Sequence, residues 1–554
     1  MFDRLHTVLN RLSGRARDPY RRALAAFARG RSGEAVALLR PAAEAGLAEA
    51  QMRLGQALES GEGVLVNPVD ALAWYQKAAE QGHEGAQARL ARLYCLGCAP
   101  PPVELANPAV RQLFPNGLAV ERDLGLAQKW ARVAAERGLV EAQALLGDLL
   151  AGVHGGSPDY PEARRWYEAA AQQGHAGAQC GLAILLAGAY LGAPDPAAAL
   201  PHFEAAAHQG DVRAHFYLAI MFSQGLGVAI DDARAVEHFA RAAAGGIAGA
   251  QRMLGWFALS GRGMAQNPFT AESWLRKAAL QGDSEAMVLL GSLHSRGDGL
   301  RPNLVEAAGW YRSAAELGHV GAQKTLGQIH LTGAGVARDE VAAAKWFERA
   351  AGQGDPQAQT QLGAFHVAGT GVARDPERAA SLFQGAALQG DPMAIYNLGV
   401  LHTLGLGVPQ DGEAAVAWYR RAAEQGNAQA QFRLGVAYAT GDLLEQDYGA
   451  AADWSRRAAL QGHASAAANL GRFLMQGYGV AQDLAEAESW LRGAAEGGIV
   501  QAMTALGELH AGLWGGAADL DQAALWLQRA ANQGDQRAAD TLERFATEGG
   551  REKL

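Results

Sequence analysis

A leucine followed by a small residue returns every 36 residues along nearly the whole chain. It stands at Leu54 and Leu90, then, after one step of 56, at Leu146 and at each thirty-sixth position to Leu506. Thirteen full units follow, with a single 20-residue insertion, and Leu542 opens a fourteenth that stops after its first helix. No other feature restricts the fold so strongly. A unit of this size cannot bury its apolar face alone, whereas stacked copies share a continuous core.

Counting outward from the leucine exposes the unit. Allowing for the insertion, an Asp or Asn stands 13 residues later in every unit, from Asn67 to Asp519. An Ala stands at 17, from Ala71 to Ala523, and a Trp at 20 in ten units, from Trp74 to Trp526. A pair of Ala follows, from Ala78-Ala79 to Ala530-Ala531, and a Gly closes each unit, from Gly82 to Gly534. The Asp precedes an Ala-rich helical stretch, where its side chain accepts backbone N–H bonds as an N-cap, worth about 1 kcal/mol. Pro follows it at Pro68, Pro196, Pro268 and Pro376, the favoured first helical position. The closing Gly suits the left-handed residue past a helix end, and Asp or Asn often follows it to cap the next helix. Each unit therefore reads as helix A, a Gly-rich turn, helix B and a Gly stop, with Leu and Trp filling the space between units.

The pattern A-Q-x-x-L-G-x-x-[YH]-x-x-G-x-G-V-x-x-D, then A-x-x-W-[YF]-x-x-A-A-x-x-G, resembles the Sel1-like repeat family, relatives of the tetratricopeptide repeats. The match runs over 48–534. The resemblance implies an all-α fold, a right-handed α/α solenoid of 36-residue helix-turn-helix repeats, acting as a scaffold or adaptor without catalysis of its own. Residues 19–46, with Ala42-Ala43 and Gly46 in phase, read as a degenerate capping repeat. Residues 535–554 read as a capping helix and tail, and 1–18 as a basic amphipathic arm. Some bacterial relatives carry a cysteine pair in each repeat and are exported. This chain has three cysteines, Cys95, Cys98 and Cys180, which is no disulfide framework and fits a reducing compartment.

Charge narrows the partners. Residues 1–31 hold eight Arg against two acids, and the remainder holds 40 basic and 55 acidic side chains. An acidic body argues against a nucleic-acid groove. No apolar run is long enough for a transmembrane helix, and the N-terminus lacks the apolar stretch of a secretory signal. A bacterial cytoplasmic protein is expected. The arm spaces Phe2, Leu5, Leu9 and Leu12 on one helical face. It either caps the first repeat or makes a weak peripheral contact with a membrane.

The candidate site is the groove. In tetratricopeptide-like solenoids helix A lines the concave side, so its outward stripe should lie two before, two after and five after the Leu. Along that stripe Phe216, Ile220, Trp256 and Leu259, with Tyr217 beside them, form one apolar run. Tyr396, Val400, Phe432 and Val436 form a second. Exposed aromatics there suit a protein or peptide partner; the alternative is that curvature buries them between units. A His recurs four residues past the Leu at His294, His330, His366, His402 and His510, read as a substitute for Tyr rather than a metal ladder. The Cys95–Cys98 pair lacks the second pair or βαβ context that redox or metal chemistry wants. The insertion near 98–118 either folds back as an apolar patch or docks a partner. No P-loop, HExxH or GxSxG motif occurs. The reading is a non-catalytic scaffold with no cofactor and no metal. An envelope glycan- or peptidoglycan-binding protein is the main alternative, and a hydrolase a more distant one.

Overall fold

The computed structural model describes residues 18–98, 119–515 and 517–548; residues 1–17 of the basic arm and residues 99–118 of the insertion lie outside them. Among the described residues every regular element is a helix, most of them 13 residues long. The one isolated bridge of extended backbone joins Cys98 to Val120. The chain divides into two units, Met1–Gln281 and Gly282–Leu554. Within each, A and B helices alternate, and each packs against its neighbours in sequence. A further helical pair, 18–28 and Ser32–Glu44, precedes the first full repeat.

One repeat shows the local logic. Helix A, Pro392–Leu404, begins at Asp391, whose carboxylate accepts from the Ala394 N–H at 2.7 Å. It ends at Gly405, left-handed at φ 66°. Two residues on, Gly407 has φ 69°, and a Cβ there would stand 2.1 Å from the Pro376 carbonyl of the preceding B helix. The two glycines of the GxG turn thus do different work: one ends a helix, the other lets the turn touch the previous repeat. The cap Asp411 then accepts from Ala414 N–H at 2.9 Å, while its own N–H donates to the His402 carbonyl at 3.0 Å. Helix B, Gly412–Glu424, follows. The aspartates at this position serve helix ends throughout, from Asn67 to Asp519.

Packing departs from expectation at one position. The residue that fills the core is the one after the Trp. Tyr75, Tyr167, Phe203, Phe239 and Phe383 are essentially fully buried, whereas Trp74 is half-buried. The buried ring lies four residues past the invariant Ala and shares its face with the Ala pair. It sits against the Gly of Leu-Gly in the same repeat: a Cβ on Gly399 would lie 2.6 Å from the Tyr419 ring. Many of the Trp rings lie one step toward solvent with a cation over them, as Lys277 lies 4.0 Å from the Trp274 ring centre and Arg457 4.5 Å from that of Trp454.

The Gln of the A-Q-x-x-L-G segment ties the repeats together. Buried Gln431 donates from Nε2 to the carbonyl of Ala423 in the preceding B helix at 3.0 Å. Its Oε1 accepts from Gln461, at the end of its own repeat's B helix, at 2.8 Å. Gln51, Gln143, Gln251 and Gln323 repeat both bonds. Gln87 makes the first, but Arg137 stands where its second partner would be and donates to the Gly82 carbonyl instead; Gln87 Oε1 is left without a partner.

Within the units, neighbouring A helices touch: Glu84–Leu96 against Val140–Leu150 in the first, and Ala464–Gln476 against Val500–His510 in the second. The A helices converge and therefore line the inside of each unit's bend.

Replacing Gln431 by Met should cost about 1–2 kcal/mol through the orphaned Ala423 carbonyl, with little dependence on pH. Gln431→Glu should cost more at pH 7, because a carboxylate then faces that carbonyl. It should recover on acidification, once a protonated carboxyl can donate. Urea midpoints at pH 7 and pH 5 would separate the two variants.

Candidate functional site

The A-helix stripe falls where the leucine register places it. Leu218, Leu254, Leu398 and Leu434 are buried. Two residues to either side, Phe216, Ile220, Tyr396, Val400, Phe432 and Val436 are half-buried, as are Tyr217 and Leu259, and Trp256 is 37% exposed. None of the nine is sealed between repeats.

In the first unit, Phe216 and Tyr217 meet around a hollow of about 530 Å³. Tyr217 stacks on Phe203 with ring centres 5.2 Å apart, and Phe216 rests on Phe239 at 6.1 Å. The opposite wall is a Tyr160–Tyr190 pair, 4.9 Å apart. Asp148 lies at the edge, accepting from the Tyr167 hydroxyl at 2.7 Å. Burial holds the Asp148 carboxyl above the usual carboxylate range, against the pull of that hydrogen bond and of Arg213. Arg213 is paired with Asp211 at 3.3 Å. Ile220 packs with the same apolar cluster. Trp256 sits one repeat on, edge to face with Phe257 at 5.3 Å, with Arg262 5.9 Å from its ring centre.

In the second unit, Phe432 and Val436 line a hollow of about 570 Å³. Val400 and Val436 line a smaller one of about 180 Å³. Tyr396 stands apart, packed on Tyr419 at 5.7 Å, with Arg433 close enough for the two to influence each other's charge. The larger hollow has the frame of the first unit's: Tyr448 and Tyr478, 5.1 Å apart, occupy the repeat positions of Tyr160 and Tyr190, 288 residues further along. One tyrosine follows the Asp cap of helix B. The other sits in the Gly-rich turn 30 residues later. Tyr occupies both positions at only these two pairs of consecutive repeats, a signal readable in the sequence that a search confined to helix A passes over. Asn469 and Phe473 escaped the same search.

The other expectations resolve locally. His366 and His402 turn Nδ1 to the carbonyls of Ala373 and Pro409 in their own turns, at 3.2 and 3.3 Å. His83, His175, His319 and His463 cap A helices where Asp or Asn stands elsewhere; the sequence reading missed this use of His. Cys95 is buried, with its thiol pushed up by burial, while the Cys98 backbone pairs with Val120 at 2.8 and 2.7 Å. Cys180 is buried and its thiol rises to about 12 for the same reason.

One unexpected pair lies behind the first stripe. His215 replaces the bridging Gln and His238 replaces the Trp, and their Nδ1 atoms are 2.9 Å apart. One ring must donate and the other accept. Burial lowers both, and the neighbouring ring helps bring His238 down to about 4. Asp211 and Glu237 pull upward while Arg234 and Arg241 push down.

These features define a class: a solenoid of helical hairpins whose inner A-helix face carries two tyrosine-framed hollows. A profile of the Sel1 repeat matches thirteen times, at 48–83, 113–139, 140–175 and onward to 500–535. The chain belongs to the Sel1 repeat family. It is similar to a protective antigen of uropathogenic Escherichia coli strains that displays an SLR fold, at 26% identity and TM-score 0.60 over 92% of this chain and 97% of that one. It is also similar to a Sel1 repeat protein of Oxalobacter formigenes, at 32% identity and TM-score 0.50 over 56% of this chain and 90% of that one. Proteins built of such repeats generally mediate protein–protein interactions and are generally non-catalytic. No described helix is long and apolar enough to cross a membrane.

The histidine pair predicts acid sensitivity. A folded His pKa held below its unfolded value near 6.5 contributes stability above 6.5 that is lost as pH falls toward about 4. Thermal melting followed from pH 7.5 to 4.5 should show this decline. The double variant His215→Gln, His238→Trp, which restores the residues of other repeats, should flatten it.

Proposed function

We propose that the protein is a non-catalytic scaffold that holds a partner protein or peptide along the inner A-helix face of its repeats. The observation that carries this reading is the exposure of Trp256 with half-buried Phe216, Tyr217, Ile220 and Leu259 on one stripe. Tyr396, Val400, Phe432 and Val436 supply a second set. A large aromatic held by its neighbours and open on one side gives contact area at small entropic cost. The stripe runs across successive repeats, so an extended segment would meet several anchors in turn.

The mechanism is passive. Helix caps and interlocked repeats fix the anchors before binding, so little ordering is required of the scaffold. Function in the cytoplasm, or peripherally at a membrane through residues 1–18, belongs to the same reading. Three cysteines, two of them buried, suit a reducing compartment.

A photo-crosslinking residue at Ile220 or Trp256 should capture one protein of constant mass in the native cell. The same residue at Glu237, exposed on a B helix, should not. Trp256→Ala should weaken capture at the Ile220 probe by about 1–2 kcal/mol with helical content and melting unchanged. Equal capture from the B-helix position would remove the inner face as the site.

A further inference from the structure

We infer that the larger hollow of the second unit receives an acidic side chain of the partner, beside an apolar residue, with Arg472 as its counter-charge. This rests on the inner-face reading and names the partner chemistry that one part of the face selects. The hollow crosses three A helices: Ala428–Thr440, Ala464–Gln476 and Val500–His510.

Its aromatic side chains are held in place, and Thr440, Ser465, Gln476 and Gln501 line much of the rest. Phe432 stacks on His463 at 4.5 Å, and that imidazole is itself fixed as the cap of helix Ala464–Gln476. Tyr448 is wedged between Phe473, at 6.1 Å, and Tyr478. Arg472 is the one charged residue among those that line the space. Two other arginines nearby are committed elsewhere, Arg456 to Glu486 and Arg537 to Glu508 at 2.6 Å. Arg472 forms no ion pair among the described residues; the acids of an adjoining hollow that it also borders are engaged, Glu508 with Arg537 and Asp535 with Thr504. Asn469, half-buried three residues earlier on the same helix face, forms no hydrogen bond among the described residues. An exposed guanidinium without an ion-pair partner, set among aromatic side chains, offers a carboxylate a charge-assisted and bidentate partner. An adjacent free amide offers a donor and an acceptor to the backbone of a segment passing over it.

The equivalent hollow of the first unit sharpens the point. It has the same tyrosine frame, but its arginine, Arg213, is paired with Asp211 and lies within the influence of Asp148. Ile184 stands at the repeat position of Arg472. The preference for an acid is thus built into one hollow by side chains that break the repeat pattern.

Peptides of about twelve residues, displayed on phage and selected on the intact protein, test this. Enriched sequences should carry Asp or Glu next to an aromatic or branched apolar residue. As labelled synthetic peptides they should bind Arg472→Ala at least about tenfold more weakly. Arg472→Glu should bind only peptides in which the acid is replaced by Lys or Arg. Asn469→Ala should cost about three- to tenfold. Arg472 is exposed, and circular dichroism would confirm that its variants fold. Enriched peptides without an acid, or with equal affinity for Arg472→Ala, overturn the inference. If those peptides still lose binding in Phe432→Ala, the inner-face reading stands while the acid preference falls. If Phe432→Ala and Trp256→Ala also leave binding intact, both fall. Failure to enrich any peptide, or Arg472-dependent binding of an oligogalacturonate probe in its place, overturns the inference in favour of another ligand class.

Discussion

The buried glutamine amide sets the terms for the rest of the molecule. Gln431 bonds the helix before it and the helix after it at once, so three helices share one polar group with no water between them. Such a group is costly to leave unpaired. The two bonds therefore fix how far each repeat is shifted and rotated against the last. The close approach of Tyr419 to Gly399 fixes the hairpin in the same way from within. With the register set, Leu434 points inward and Phe432 and Val436 flank it toward the open side. The stripe on the inner face follows from the register of the core.

Several repeats drop the glutamine and still keep the register. Met287, Ile395 and Met503 occupy its position, and Gln533 reaches the Met503 sulfur at 3.7 Å instead. The His215–His238 pair is a third solution. Nearest-neighbour stability tolerates this: a junction without the relay is supported by its own buried Leu and Ala, and the junctions of Met287 and Ile395 lie between repeats that keep the glutamine. The polar relay specifies alignment, while burial of Ala and Leu supplies most of the cohesion.

Much of this was legible in the chain. The 36-residue period gave the hairpins, the caps and the turns, because each depends on one residue type with one conformational property. The stripe at Phe216, Ile220, Tyr396, Val400, Phe432 and Val436 came from helical spacing together with the analogy to tetratricopeptide-like solenoids. The buried ring was misplaced by one residue, since Trp is the larger side chain and the more regular. The three-dimensional answer turned on which of two adjacent positions aligns with the Ala pair. The His caps at His83 and His463 were missed because an imidazole acceptor does the work of a carboxylate without sharing its composition signal. The hollows were missed because the tyrosines that frame them come from helix B and the Gly-rich turn. No count along helix A reaches Tyr160, Tyr190, Tyr448 or Tyr478.

The two hollows also show where individuality enters a repetitive chain. Residues that recur at every period are consumed by architecture: the Asp caps, the Ala pair, the glycines. A group that serves every junction equally cannot distinguish one partner from another. On the inner-face reading, recognition rests on departures from the repeat. Asp148, Arg213 and Arg472 are such departures, and so are the paired tyrosines that occur together at only two pairs of consecutive repeats. Those two places share a frame and differ in charge, one with an acid and a compensated arginine, the other with an arginine alone.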